Sequence, residues 1–307
     1  MHRWTTVTYL SIGTEIADDW LIWQRHAPVV ALRYDCLMET IMALTAFELA
    51  YSFPDDAVRW MNVALGYQGS AFHSFRDQLQ KSSGDDYDAM IYSSVLLMVL
   101  AMASATSSVL AHAQLESTID HCMAHHELVV GTALVMTKDG PNRYKPHALW
   151  SKVPDFLSLD KHGLEAAVED VLKKVEALNE ARGPDRSDAG LFNQIPSSQY
   201  MGCKTALVWT KFMFQACTSK LLRSYTLGWL TCCGKDYIQA VKDGDRVSLL
   251  LMLFWGVLLH PLGDDCWYGK GFGKSLVDEV SDAVQNDVGQ DGLELDVIVW
   301  AKNELNC

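Results

Sequence analysis

Residues 28–50 read PVVALRYDCLMETIMALTAFELA, and this stretch decides the fold. Proline suits the first turn of a helix, where its missing N–H has no partner to lose and its fixed φ is already helical. From Pro28 onward Ala, Leu and Met recur to Ala50, and no Gly or Pro appears again until Pro54. These are strong helix formers, so one long helix is expected. Its few charges, Arg33, Asp35, Glu39 and Glu48, fall on different sides at 100° per residue and define no wet face. Such a helix must be enclosed by neighbours. Ala31, Ala43, Ala46 and Ala50 let those neighbours approach closely, so the stretch is the expected central post of an all-α domain.

Outward from this post the chain reads as helices separated by polar breaks. His2 to Ile12 is a short apolar helix with Trp4, Tyr9 and Leu10; Thr14 and Glu15 open a second with Trp20 and Trp23. Phe53-Pro54-Asp55-Asp56 ends the post and puts acids at the positive N-terminus of a helix over 55–80. Ser83-Gly84-Asp85-Asp86 is the next break, with helices beyond it over 89–115 and 115–136. Residues 138–159 form a long irregular connection, 164–182 an amphipathic helix, and 183–198 (GPDRSDAGLFNQIPSS) the expected mobile segment. An apolar run spans 200–230; Gly234 and Gly244 break the chain beyond it, and 263–273 (GDDCWYGKGFG) is a glycine-rich elbow before a helix at 274–285. No set of Val/Ile/Thr runs with period two suggests a sheet, and there is no internal repeat. The expected fold is one all-α, multi-helix bundle over 1–307 with a buried hydrophobic cavity.

Composition narrows the function. The 307 residues carry 25 basic and 38 acidic side chains, a net charge of −13, with no basic cluster larger than Lys173-Lys174. Such a chain repels a phosphate backbone, so direct nucleic acid binding is not expected. The eight cysteines form no CxxC pair and sit mostly in apolar runs, as reduced cytoplasmic or nuclear thiols do. The N-terminal MHRWTTVTYLSIG lacks a basic-then-apolar signal pattern, so no secretion is expected. Residues 89–115 hold no Asp, Glu, Lys or Arg and are long enough to cross a bilayer. Their serines, threonines and His112, without flanking basic residues, point instead to a helix packed inside protein. The run 249–259 is too short to span and reads as a core helix.

The spacing Trp23-x4-Pro28-x2-Ala31, then Leu37-Met38 and Ala46-x2-Leu49-Ala50, resembles the effector domain of fungal zinc-cluster (Zn2Cys6) transcription factors, especially the sterol uptake control type. Tyr67-Gln68-x2-Ala71 with Phe75-Arg76-x2-Leu79, and Ala89-x3-Ser93-x2-Leu96-Leu97, are similar to its next helices. Val257-Leu258-Leu259-His260, Trp267 and Gly271-Phe272-Gly273 resemble its closing segment. The resemblance implies an all-α domain whose cavity accepts a sterol-like or other lipophilic effector. Two departures matter. The cysteine-rich zinc-cluster segment that reads DNA in that family is absent from this sequence, and Glu39 and Glu48 stand where the family usually shows His.

Chemistry-bearing clusters are few. His121, His125, His126 and Glu127, with Cys122, place two imidazoles at i and i+4, the spacing of a zinc site, but no third ligand lies at motif spacing beyond them. Asp85-Asp86-Tyr87-Asp88 with Asn286, Gln290 and Glu294 is similar to the paired magnesium motifs of class I terpene cyclases, yet Gln replaces the expected hydroxyl and Gly289 and Gly292 interrupt the helix. Helix capping accounts for the aspartates. No metal or other cofactor is expected, and GKGFG lacks the strand and Lys-Ser/Thr of a P-loop.

What remains is an apolar pocket with few polar groups. Trp209, Phe212, Met213, Trp255, Trp267 and Tyr268 are its candidate lining, with His112 as a polar contact. The expected function is binding of a sterol- or terpenoid-like molecule, the partners being that lipophile and at most a second copy of the chain. The alternative is a cofactor-free cyclase, isomerase or pericyclase acting on a terpenoid or polyketide intermediate of secondary metabolism. Glu39, Glu48 and His260 would supply its acid and base.

Overall fold

The structure, a computed structural model, describes residues 1–12, 19–81, 87–110, 117–137, 163–183, 197–217, 225–285 and 292–305. The described residues are helical and include no strand. In chain order the α-helices are α1 (His2–Thr6), α2 (Ala27–Ala31), α3 (Asp35–Ser52), α4 (Ala57–Lys81), α5 (Tyr87–Leu110), α6 (Thr118–Thr137) and α7 (Ala166–Ala181). They continue with α8 (Ser198–Ala216), α9 (Trp229–Cys233), α10 (Lys235–Lys242), α11 (Arg246–Leu259), α12 (Leu262–Asp265), α13 (Phe272–Gln285) and α14 (Gly292–Glu304). The chain forms two compact units. The first holds Met1–Leu159 with Gly263–Gly271, the second Asp160–Leu262 with Phe272–Cys307.

In the first unit α3 is the post that its sequence announces, with residues buried on every side of the helix, among them Leu37, Ile41, Ala43, Leu44, Ala46 and Phe47. α4 and α5 pack along it, and Ala64 and Ala71 are the buried positions of α4. The single helix expected from Pro28 to Ala50 is corrected. Helical winding starts ahead of Pro28, in a π-turn over Ile22–His26 where the N–H of Ala27 reaches the carbonyl of Ile22, five residues back. Pro28 comes next, in the first turn of α2, and the wide turn absorbs the N–H that it lacks. The chain then breaks at Leu32–Tyr34, where Tyr34 is extended (φ −133°, ψ 104°) and Asp35 opens α3 as an acid in the first turn.

The second unit has its own enclosed helix. α11 is buried at almost every position from Val247 to Gly256 and is capped by Asp245, whose Oδ2 accepts the Ser248 N–H at 2.9 Å. α7, α8, α10, α13 and α14 pack around it. Gly234 (φ 81°) and Gly244 (φ 73°) make the turns into α10 and α11 in the left-handed region. α13 crosses α11 at backbone distance: a Cβ on Gly273 would lie 2.4 Å from the Gly256 carbonyl oxygen and 2.7 Å from the His260 nitrogen.

Two stretches, Tyr87–Ser107 and Arg246–Asp265, are long and apolar enough to cross a membrane, so the second passes a length test that residues 249–259 alone do not. Each is mostly buried, 78% and 72% respectively, as core helices are. The expected breaks at 83–86 and 138–159 and most of the segment 183–198 lie outside the described residues.

Gly273→Ala is expected to destabilise the protein by about 1–3 kcal/mol, because backbone must move to admit the methyl group. Gly69→Ala, on α4 with open space at its Cβ, is expected to stabilise by about 1 kcal/mol. Chemical denaturation of the two variants checks both signs.

Candidate functional site

Phe72, Phe75, Arg76 and Leu79 keep i, i+3, i+4, i+7 spacing on α4 and therefore share one face of that helix. With Ser94 and Leu97 of α5 and Glu127, Leu128 and Gly131 of α6 they line a half-open groove of about 220 Å³ in the first unit. Its walls are almost wholly apolar. The Ser94 hydroxyl is already used, donating to the Ile91 carbonyl at 2.9 Å. A Cβ on Gly131 would meet nothing within 4 Å, so part of the opening exists because that residue has no side chain. Well-formed pockets for drug-sized ligands run from about 300 to 1,000 Å³, so this groove suits a small lipophile or one end of a larger one.

The residues singled out in the sequence fall into two sets. Glu39, Glu48, Trp267 and Tyr268 belong to the first unit, and Trp209, Phe212, Met213, Trp255 and His260 to the second. His112 lies outside the described residues. Glu48 is 4% exposed and fully engaged: Arg3 donates to it through Nε and Nη2 at 2.7 Å each, and Ser52 Oγ donates at 2.6 Å. That hydrogen-bonded pair raises the Arg3 pKa and ties α1 to α3. Glu39 differs, because its Oε2 is buried without a hydrogen-bond partner. It does not line the groove.

The aromatic candidates make close packing contacts. Trp255 is fully buried, stacks on Trp229 at 5.7 Å and donates its indole N–H to the Thr226 carbonyl at 2.8 Å. Trp209 meets Phe212 edge-on at 5.5 Å, and Met213 is buried with its sulfur 3.7 Å from the Cys217 thiol. His260 caps the C-terminus of α11, its N–H donating to the Gly256 carbonyl at 3.1 Å. In the first unit Trp267 donates to Ser11 Oγ at 2.9 Å, and the Tyr268 carbonyl accepts from Thr106 Oγ1 at 2.5 Å. Burial pushes the Tyr268 hydroxyl pKa well up, so it stays protonated.

The histidine cluster sits on α6. His125 is 3% exposed with Nδ1 lacking a hydrogen-bond partner; burial, with His126 beside it, pulls its pKa down to about 4 and keeps it neutral. No group of three ligands placed for a metal occurs among the described residues. Asp85, Asp86, Asn286 and Gln290 lie outside those residues, and Glu294 is taken by a two-point pairing with Arg246. The described cysteines are free thiols. Burial raises Cys203 and Cys217 to about 12, so neither is a nucleophile at neutral pH.

Of the groove residues, Phe75, Arg76, Leu79 and Leu97 fall inside segments that carry the family resemblance, while nothing in the sequence marks Phe72, Ser94, Glu127, Leu128 and Gly131 as lining. The signals in the sequence are the α4 spacing, which a core-facing stripe shares, and the charge of Arg76 within that stripe. No known family model matches the chain, and no curated protein matches it either.

The depressed His125 pKa sets a pH window for stability. The folded state resists the proton that the unfolded chain accepts near 6.5, so the stabilisation is complete above pH 6.5 and is lost as pH falls towards 4, by about 3 kcal/mol. Denaturation midpoints between pH 7 and 4 should show this loss, and His125→Leu should flatten it.

Proposed function

We propose that the first unit captures a lipophilic small molecule, of terpenoid, sterol or fatty-acyl character, in the groove between α4, α5 and α6. One observation carries the reading: an apolar, half-open groove walled by Phe72, Phe75, Leu79, Leu97 and Leu128, where a glycine keeps the floor clear. Removing such a molecule from water supplies affinity at roughly 25 cal/mol per Å² of apolar surface, less the cost of immobilising it. The resemblance to the effector domain of fungal zinc-cluster regulators supports the same reading, since two of its segments supply α4 and α5. At about 220 Å³ the groove holds one end of a sterol or terpenoid skeleton and leaves the remainder at its mouth.

Binding is favoured over the acid–base chemistry assigned to Glu39 and Glu48. Glu48 is saturated by Arg3 and Ser52, and Glu39 is not part of the groove wall, so neither is presented to a molecule held there. A cyclisation or isomerisation needs a proton donor or acceptor within hydrogen-bond reach of the reacting atom.

Fluorescence titration with Nile red, an uncharged lipophilic dye, tests the reading. Gly131→Phe fills the groove from open space and is expected to weaken binding at least about tenfold, or 1.4 kcal/mol, whereas Gly131→Ala leaves it within about twofold. Equal affinities in all three proteins would overturn it.

A further inference from the structure

Resting on the groove assignment, the geometry points to a ligand that is a lipophilic carboxylic acid, whose apolar chain lies between α4, α5 and α6 and whose carboxylate pairs with Arg76 at the mouth. Arg76 sits between Phe72 and Leu79 on the same face of α4, and its side chain is part of the groove wall. Its residue is exposed, so the methylene stem covers apolar wall while the guanidinium meets water.

Three arginines elsewhere in the structure show what such a group takes when a carboxylate is offered. Arg3 is held by Glu48, Arg182 by Asp245 and Arg246 by Glu294. No carboxylate among the described residues pairs with Arg76. A planar guanidinium beside an apolar surface offers two parallel N–H donors to a carboxylate. A cation set on the lip of an otherwise apolar groove therefore selects an amphipathic anion over a neutral lipophile of equal length.

The net charge opposes this only weakly. The chain carries a net −13, but at physiological salt that field is screened over about 8 Å, whereas the Arg76 contact is direct.

The experiment is displacement of Nile red by dodecanoate and by dodecan-1-ol, which share a chain and differ in the head. The native protein is expected to prefer dodecanoate by about tenfold, and Arg76→Gln to abolish that preference without changing dodecanol binding. If both compounds bind, both are blocked by Gly131→Phe, and neither is preferred, the acid assignment is wrong and the groove stands. A preference that survives Arg76→Gln also overturns it. If neither compound displaces the dye, or Gly131→Phe blocks neither, the groove reading fails and takes this inference with it.

Discussion

Helices with no side that tolerates water organise the rest of this chain, and α3 and α11 are two of them among the described residues. α3 and α11 carry apolar residues around their whole circumference, so each is stable only when neighbours cover it from several directions. α3 is covered by α4 and α5, α11 by α7, α8, α10, α13 and α14. Where the cover must come closest, small residues allow it: Ala43 and Ala46 on α3, and the glycine pair Gly256 and Gly273 on α11 and α13. Buried polar groups are placed under the same constraint. Glu48 is tolerated inside the first unit because Arg3 and Ser52 satisfy it, and Trp229 and Trp255 donate their indole N–H groups to Thr210 and Thr226.

The groove arises from how little of α4 the post requires. Ala64 and Ala71 face inward and are buried, so α4 lies flat along α3 while its neighbouring face carries Phe72, Phe75 and Leu79 with incomplete cover. α5 and α6 complete two walls, and Gly131 leaves the remaining volume open. A helix that needs only one of two apolar faces for the core leaves the second partly uncovered.

Much of the fold was legible because helix periodicity and its punctuation are local. The post α3, the core helix α11, the acid-led start of α4 and the chain breaks at Gly234 and Gly244 are set by residues within a few positions of one another. The break at Leu32–Tyr34 was not legible, since it contains neither Gly nor Pro and its neighbours are good helix formers. Nor was the division into two units, because residues 263–271 return to the first unit from within a stretch whose flanks belong to the second. For the candidate site the sequence is ambiguous for a physical reason: Trp209, Phe212, Met213 and Trp255 at helical spacing look the same whether they line a cavity or fill one. Phe72, Phe75 and Leu79 look like any core stripe until the neighbouring helices are in place. Charge is the clue that distinguishes them, for Arg76 interrupts an apolar face and has no acid near it in the sequence other than Asp77, which pairs with His73.

Whether the first unit receives a lipophile between α4, α5 and α6 is tested most directly by methyl NMR. On titration with an unlabelled lipophile, the methyl resonances of Leu79, Leu97 and Leu128 should shift together and saturate, while those of Leu250 and Leu253, buried in α11, stay fixed. Shifts confined to α11, or none at Leu97, would contradict it.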